Sequence, residues 1–154
     1  MPGSESVVAE GPWTGSTLPE LIGRFGAELL GKANYARFGQ EFPLLVKFID
    51  AREDLSIQVH PDDELARKRH GKSGKCEMWY VLEAEPGASL LTGFSRPIAP
   101  AEYERRVADN TLTDVLNRQA IASGDVFYLP AGRVHSIGKG SFIVEIQQSS
   151  DITY

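Results

Sequence analysis

With a single cysteine, Cys76, among 154 residues, the chain can close no internal disulfide, which suits a reducing compartment. Basic residues are outnumbered, 16 against 21 acidic, for a net charge of −5. That balance argues against a nucleic-acid or anionic-membrane partner, since either would call for a basic face. No apolar run approaches the roughly 20 residues that cross a bilayer. The opening MPGSESVVAEGPWTG lacks both the basic start and the apolar centre of a secretory signal. The expectation is a cytoplasmic protein. Also missing are a Gly-rich phosphate loop, a CxxC pair, a GxSxG elbow, internal repeats and low-complexity tracts.

What is present is an ordinary globular composition, 42% hydrophobic and 24% charged, long enough for one domain with a real core. Residues 1–15 read as an irregular lead-in and 16–154 as a single domain. Thr17-Leu-Pro-Glu20 has the form of a capping box, and Leu21, Ile22, Phe25, Leu29 and Leu30 follow at helical spacing, so a helix is expected over 18–30. The apolar run Phe42–Ile49 reads as a buried strand, and Leu55–His60 alternates with period two. A short helix follows Pro61, with acidic residues first and basic residues last. Strands are expected at 77–82, 89–94, 125–129, 133–137 and 142–148, and helix over 100–117 with a break near Asn110. Many strands, few helices and no repeated βα unit point to a mainly β fold, an antiparallel barrel or jelly roll with helical insertions.

Three places offer metal-binding donors. In GDVFYLPAGRVH, Pro130 stops a strand and Gly132 turns it, which fixes where His135 lands. Alternation puts Gln58 and His60 on one strand face, and Lys75, Glu77 and Trp79 on another with Cys76 opposite. If these strands share an interior, Gln58, His60, Glu77 and His135 supply an amide oxygen, two imidazoles and a carboxylate. Nitrogen and oxygen donors of that kind suit a catalytic zinc site, although His60, Glu77 and His135 would equally satisfy an iron facial triad. Lys75, on the face of Glu77, is a candidate to hold a substrate oxygen or carry a proton. The basic run Arg67–Lys72 reads as a solvated helix end. Trp13, Trp79, Tyr80 and Phe127 read as core or barrel lining, and Cys76 as inert.

Taken in order, the stretch from Phe42 through IQVHPDDELA, then GKCEMWYVL, then GDVFYLPAGRVHSIGKGSFIVEIQQSSDITY resembles the type I mannose-6-phosphate isomerases in their short bacterial form. The resemblance implies a cupin-type jelly-roll barrel and one zinc ion per chain. It also implies interconversion of mannose 6-phosphate and fructose 6-phosphate through an enediol. The ligands it implies are Gln58, His60, Glu77 and His135, with Lys75 catalytic, and the partner is a small sugar phosphate. The second cupin motif matches at Gly124, Pro130, Gly132 and His135, with Lys139 where an Asn is usual, whereas the first has Gln58 in place of a histidine. Members usually carry a Trp-Gly-Gly segment and a Glu-Ser-Trp-Glu strand ahead of this region, and an arginine directly after the Asp-Ile-Thr-Tyr type of sequence. The expectation is therefore a domain shortened at both ends. The rival reading is a non-isomerase cupin, either a metal oxygenase or a sugar-binding sensor.

Overall fold

A computed structural model describes residues 5–154, so residues 1–4 of the expected lead-in lie outside the described residues. The chain separates into two compact units, Met1–Leu44 and Leu45–Tyr154.

In the first unit, Thr17 and Glu20 form the expected reciprocal cap, with Glu20 N–H donating to Thr17 Oγ1 (3.3 Å) and Thr17 N–H to Glu20 Oε2 (2.8 Å). The expected single helix is two: α1 (Leu18–Phe25) and α2 (Ala27–Leu30). Gly26, at φ 48°, turns the chain between them while its N–H still reaches Ile22 O. A third helix, α3 (Lys32–Phe38), follows Gly31.

The second unit is built on seven strands: β1 (Leu44–Ala51), β2 (Glu77–Ala84), β3 (Ser89–Phe94), β4 (Leu116–Ala120), β5 (Val126–Leu129), β6 (His135–Ile137) and β7 (Ser141–Gln148). They form a four-stranded sheet in the order β1-β7-β2-β5 and a three-stranded sheet in the order β4-β3-β6. Ala51, Trp79, Val81, Leu129 and Ile143 from the first sheet meet Leu90 and Ile137 from the second in one core. Each such side chain contributes about 1.5–3 kcal/mol by leaving water. This mainly β, two-sheet arrangement is the cupin-type fold expected from the sequence.

Helix α4 (Asp63–His70) is capped by Asp62, whose carboxylate accepts from Leu65 N–H. The region 100–117 is α5 (Pro100–Ala108), a left-handed Asn110 at φ 55°, and a short 3-10 turn at Leu112–Val115. Its last residues belong to β4, not to a helix. The run expected as a buried strand is β1 at a sheet edge, where Val46 and Phe48 are 51% and 70% exposed. The expected strand over 55–60 is reduced to a bridge, Gln58 opposite His135.

Behind β6, Gly138 passes so close to β3 that a Cβ there would lie 2.1 Å from the Ser89 carbonyl oxygen. Backbone cannot yield as a flexible side chain does. Gly138→Ala is expected to cost about 2–4 kcal/mol of stability, read by urea unfolding; a change under about 0.5 kcal/mol would show that the two strands separate freely.

Candidate metal centre

Each chemical group is set by its strand. Glu77 opens β2 and, with Trp79 and Val81, takes the inward positions of the alternation; all three are buried. Lys75 precedes it on the same face, fixed by its N–H to Pro61 O at 3.0 Å. The approach depends on Gly74, where a Cβ would lie 2.4 Å from the Asp62 carbonyl carbon. His135 opens β6 after the turn at Pro130–Gly132, and Gly132 N–H donates to His60 O, so the turn is tied to the second histidine. Gln58 and His135 exchange both backbone hydrogen bonds at 2.9 Å.

The result is a buried trio, His60, Glu77 and His135, whose ligand atoms all lie within 4.8 Å of one another. His60 Nε2 is 3.4 Å from Glu77 Oε1, and His135 Nε2 is 3.3 Å from Glu77 Oε2. The outer nitrogens are already engaged: His60 Nδ1 with Ile152 O at 3.0 Å, and His135 Nδ1 with Arg133 O at 2.8 Å. A carbonyl can only accept, so both neutral rings carry their proton on Nδ1 and turn the Nε2 lone pair inward. Lone pairs then face carboxylate oxygens. Among the described residues, His60 Nε2 and both Glu77 oxygens have no aligned hydrogen-bond partner. Lys75 Nζ, 2.7 Å from Glu77 Oε1, supplies charge without that alignment. Converging buried acceptors need protons or a metal cation between them.

The ionisation states fit a cation. Burial pushes the Glu77 carboxyl up, but in the absence of metal a hydrogen bond from His60, which needs a proton on Nε2 in the place a cation would take, outweighs it together with the Lys75 ammonium and a charge on His135 and holds the group at about 2. Burial also keeps the His135 imidazole below its ordinary value, only partly opposed by Arg133 O and the Glu77 charge. Because the Glu77 pKa is depressed on folding, its contribution to stability is full above its ordinary 4.5 and is lost as pH falls toward about 2. In metal-free protein this is worth on the order of 3 kcal/mol. Glu77→Gln should flatten the acid limb of the stability–pH curve by about that amount. Parallel acid limbs in the two proteins would contradict the assignment.

The residues expected from sequence are brought together unevenly. His60, Glu77 and His135 converge, and Lys75 joins them. Gln58 is half-buried beside the trio, with its amide nitrogen donating to Ser56 Oγ at 2.8 Å. Cys76 points the other way, beside Tyr128, as the strand parity requires.

Sequence reasoning missed a second polar group. Lys47 Nζ donates to Glu145 Oε1 at 2.8 Å and to Gln147 Oε1, and Trp79 Nε1 donates to Glu145 Oε2 at 3.1 Å. Lys47, Lys75, Trp79 and Glu145 line a cavity of about 120 Å³ together with Ser56, Gln58 and His135. The signal was available in β7, where Glu145 and Gln147 share a buried parity with Ser141 and Ile143 while Phe142, Val144 and Ile146 face outward. Charged residues on the inner face of a strand mark a site, not a solvated surface. A larger open cleft of about 830 Å³ runs along β5 past Asn117 and Gln119, and none of the trio lines it.

Residues 2–96 match the family described as phosphomannose isomerase type I, catalytic domain. A mannose-6-phosphate isomerase of Streptococcus mutans is 40% identical over 153 residues, 99% of this chain and 46% of that protein. The crystal structure of the mannose 6-phosphate isomerase from Bacillus subtilis superposes with a TM-score of 0.86 at 36% identity, over 99% of this chain and 47% of that one. A zinc-bound holo mannose 6-phosphate isomerase shares the fold, with a TM-score of 0.74 at 18% identity over 99% of this chain and 59% of that one. The chain thus spans about half the length of the curated relatives it matches. No helix among the described residues is long and apolar enough to cross a membrane.

Proposed function

The chain belongs to the type I phosphomannose isomerase family, and from that premise we propose that its buried trio holds one zinc ion and that the cavity beside it interconverts mannose 6-phosphate and fructose 6-phosphate. The observation that carries this reading is the convergence of His60 Nε2, His135 Nε2 and both Glu77 oxygens, acceptors facing acceptors in a buried space. Two imidazoles, one carboxylate and room for a further ligand suit a catalytic zinc ion. Such an ion, when bound, polarises a sugar carbonyl and offsets the negative charge that develops on its oxygen. Gln58, paired through its backbone to His135, is proposed as a further ligand through its side-chain oxygen.

The reaction moves one proton between C2 and C1 and another between the two oxygens, with the C2–H electron pair forming the C1–C2 double bond of an enediol and then returning to C1–H. Lys75 is the proposed proton carrier. It is buried, it lines the cavity, and its ammonium is held 2.7 Å from Glu77, so its position is fixed before substrate arrives. Lys47, with 40% of its side chain exposed, is the proposed partner of the phosphate at the solvent side of the cavity. Glu145, held by Trp79 and Lys47, is proposed to orient sugar hydroxyls.

A coupled assay of mannose 6-phosphate conversion tests this. Turnover with zinc, loss with a chelator and recovery on adding zinc back are the expected results. Tight zinc binding with no isomerisation would reject the isomerase reading in favour of a sugar-binding cupin. Retention of iron with oxygen uptake would favour an oxygenase built on the same two histidines and carboxylate.

A further inference from the structure

We propose that residues 150–154 act as a latch that sets the His60 ring for metal, and that side chains at the end of α4 hold this latch closed. The inference rests on the metal-centre reading. The two histidines of the trio are supported very differently. His135 Nδ1 meets the carbonyl of Arg133, two residues away in its own turn, so that support forms with the turn itself. His60 Nδ1 meets Ile152 O at 3.0 Å across 92 residues of sequence, with Thr153 Oγ1 also near at 3.3 Å. Its tautomer and ring angle therefore depend on a distant segment staying in place.

That segment is held at several points. Val59, next to His60, exchanges both backbone hydrogen bonds with Tyr154 at 3.0 Å. Ile152 is buried at 8% exposure, anchoring the segment from beneath. From the end of α4 and the loop after it, His70 Nε2 meets Tyr154 Oη at 2.7 Å, Lys72 Nζ meets Asp151 Oδ1 at 2.9 Å, and Ser73 O accepts from Ser150 Oγ at 2.8 Å. The Arg69 guanidinium lies 5.8 Å from the centre of the Tyr154 ring. Exposed contacts of this kind are each worth little. Here they converge on five consecutive residues, one of which carries the carbonyl that fixes a ligand. Loss of such a supporting hydrogen bond to a metal-ligating histidine typically weakens metal binding about 10–100-fold. The basic end of α4, which the sequence suggested was merely a solvated helix end, thereby gains a role as a positioning element.

The test measures zinc affinity by competition with a chromophoric chelator, together with the His60 tautomer by nitrogen-15 NMR of the metal-free chain. The proteins are wild type, a deletion of residues 151–154, the double variant Tyr154→Phe with Asp151→Asn, His70→Ala and His70→Gln. The deletion is expected to bind zinc about 10–100-fold more weakly and to lose the pure Nδ1–H signature of His60 while that of His135 stays. The double variant and His70→Ala should weaken binding several-fold, and His70→Gln, which still reaches the tyrosine hydroxyl, should restore it. Wild-type affinity and an unchanged His60 signature in the deletion would overturn the latch; if the deletion does not fold, the same result in the double variant would do so. Should wild type itself bind no zinc, the metal reading fails, and the His60 tautomer in the variants still decides the latch.

Discussion

Purified His135→Ala is expected to carry almost no zinc, with affinity reduced about a thousandfold. The estimate follows from a structural zinc site being worth about 10–16 kcal/mol in total. Removing one of three or four ligands forfeits about 4 kcal/mol, which is three factors of ten in affinity. Of the proposed ligands, His135 is the best prepared in advance. It is 4% exposed, its ring lies edge-on to Trp79 with centroids 5.4 Å apart, and its Nδ1 proton is fixed by Arg133 O. Alanine removes all of that and leaves one Glu77 oxygen facing empty space. Zinc content by elemental analysis gives the answer, and near-stoichiometric zinc in the variant would remove His135 from the ligand set. A second readout separates metal loss from misfolding. Zinc at a thousand times its dissociation constant should stabilise wild type by about 4 kcal/mol against urea and the variant hardly at all.

Lys75→Met is the other large expected effect, and it has the opposite pattern: zinc retained, isomerisation reduced about 10²–10⁴-fold, chiefly in kcat. Methionine keeps the length and apolar stem of lysine but can neither carry a proton nor hold a charge. The ammonium sits 2.7 Å from Glu77 Oε1, with 7% of its side chain exposed. Its removal takes away one of the influences that hold the Glu77 carboxyl at about 2, so that group should rise toward its ordinary value. Near neutral pH it remains ionised and able to bind metal, which is why zinc content should survive. Turnover equal to wild type would exclude Lys75 from the chemistry. A loss of zinc in step with activity would make it a support for Glu77, not a proton carrier.

The trio was legible because strand parity and turn chemistry are local. Pro130 and Gly132 aim His135, and alternation pairs Lys75 with Glu77 and separates both from Cys76; none of this needs tertiary information. Strand β3 fell at residues 89–94 as expected, since Ser89–Phe94 is bounded by turn residues on both sides. Where context decided, the reading went astray. Leu116–Ala120 contains no β-branched or aromatic residue, and it becomes β4 because Gln119 and Arg118 pair with Leu90 and Leu91 across the sheet. Gly26 was read through as helix interior, whereas its positive φ splits the helix in two. The contacts of Lys47 with Glu145 span 98 residues and that of His60 with Ile152 spans 92, distances at which no periodicity carries information. The polar half of the cavity and the support of His60 were for that reason invisible, while the residues of the buried trio were not.

Anomalous diffraction at the zinc absorption edge, from crystals of the zinc-loaded chain, tests the metal centre most directly. One strong peak is expected per chain, about 2.0–2.2 Å from His60 Nε2, His135 Nε2 and a Glu77 oxygen. A zinc-loaded crystal whose only peaks lie elsewhere, or which shows none with the trio still closed on itself, would contradict the account.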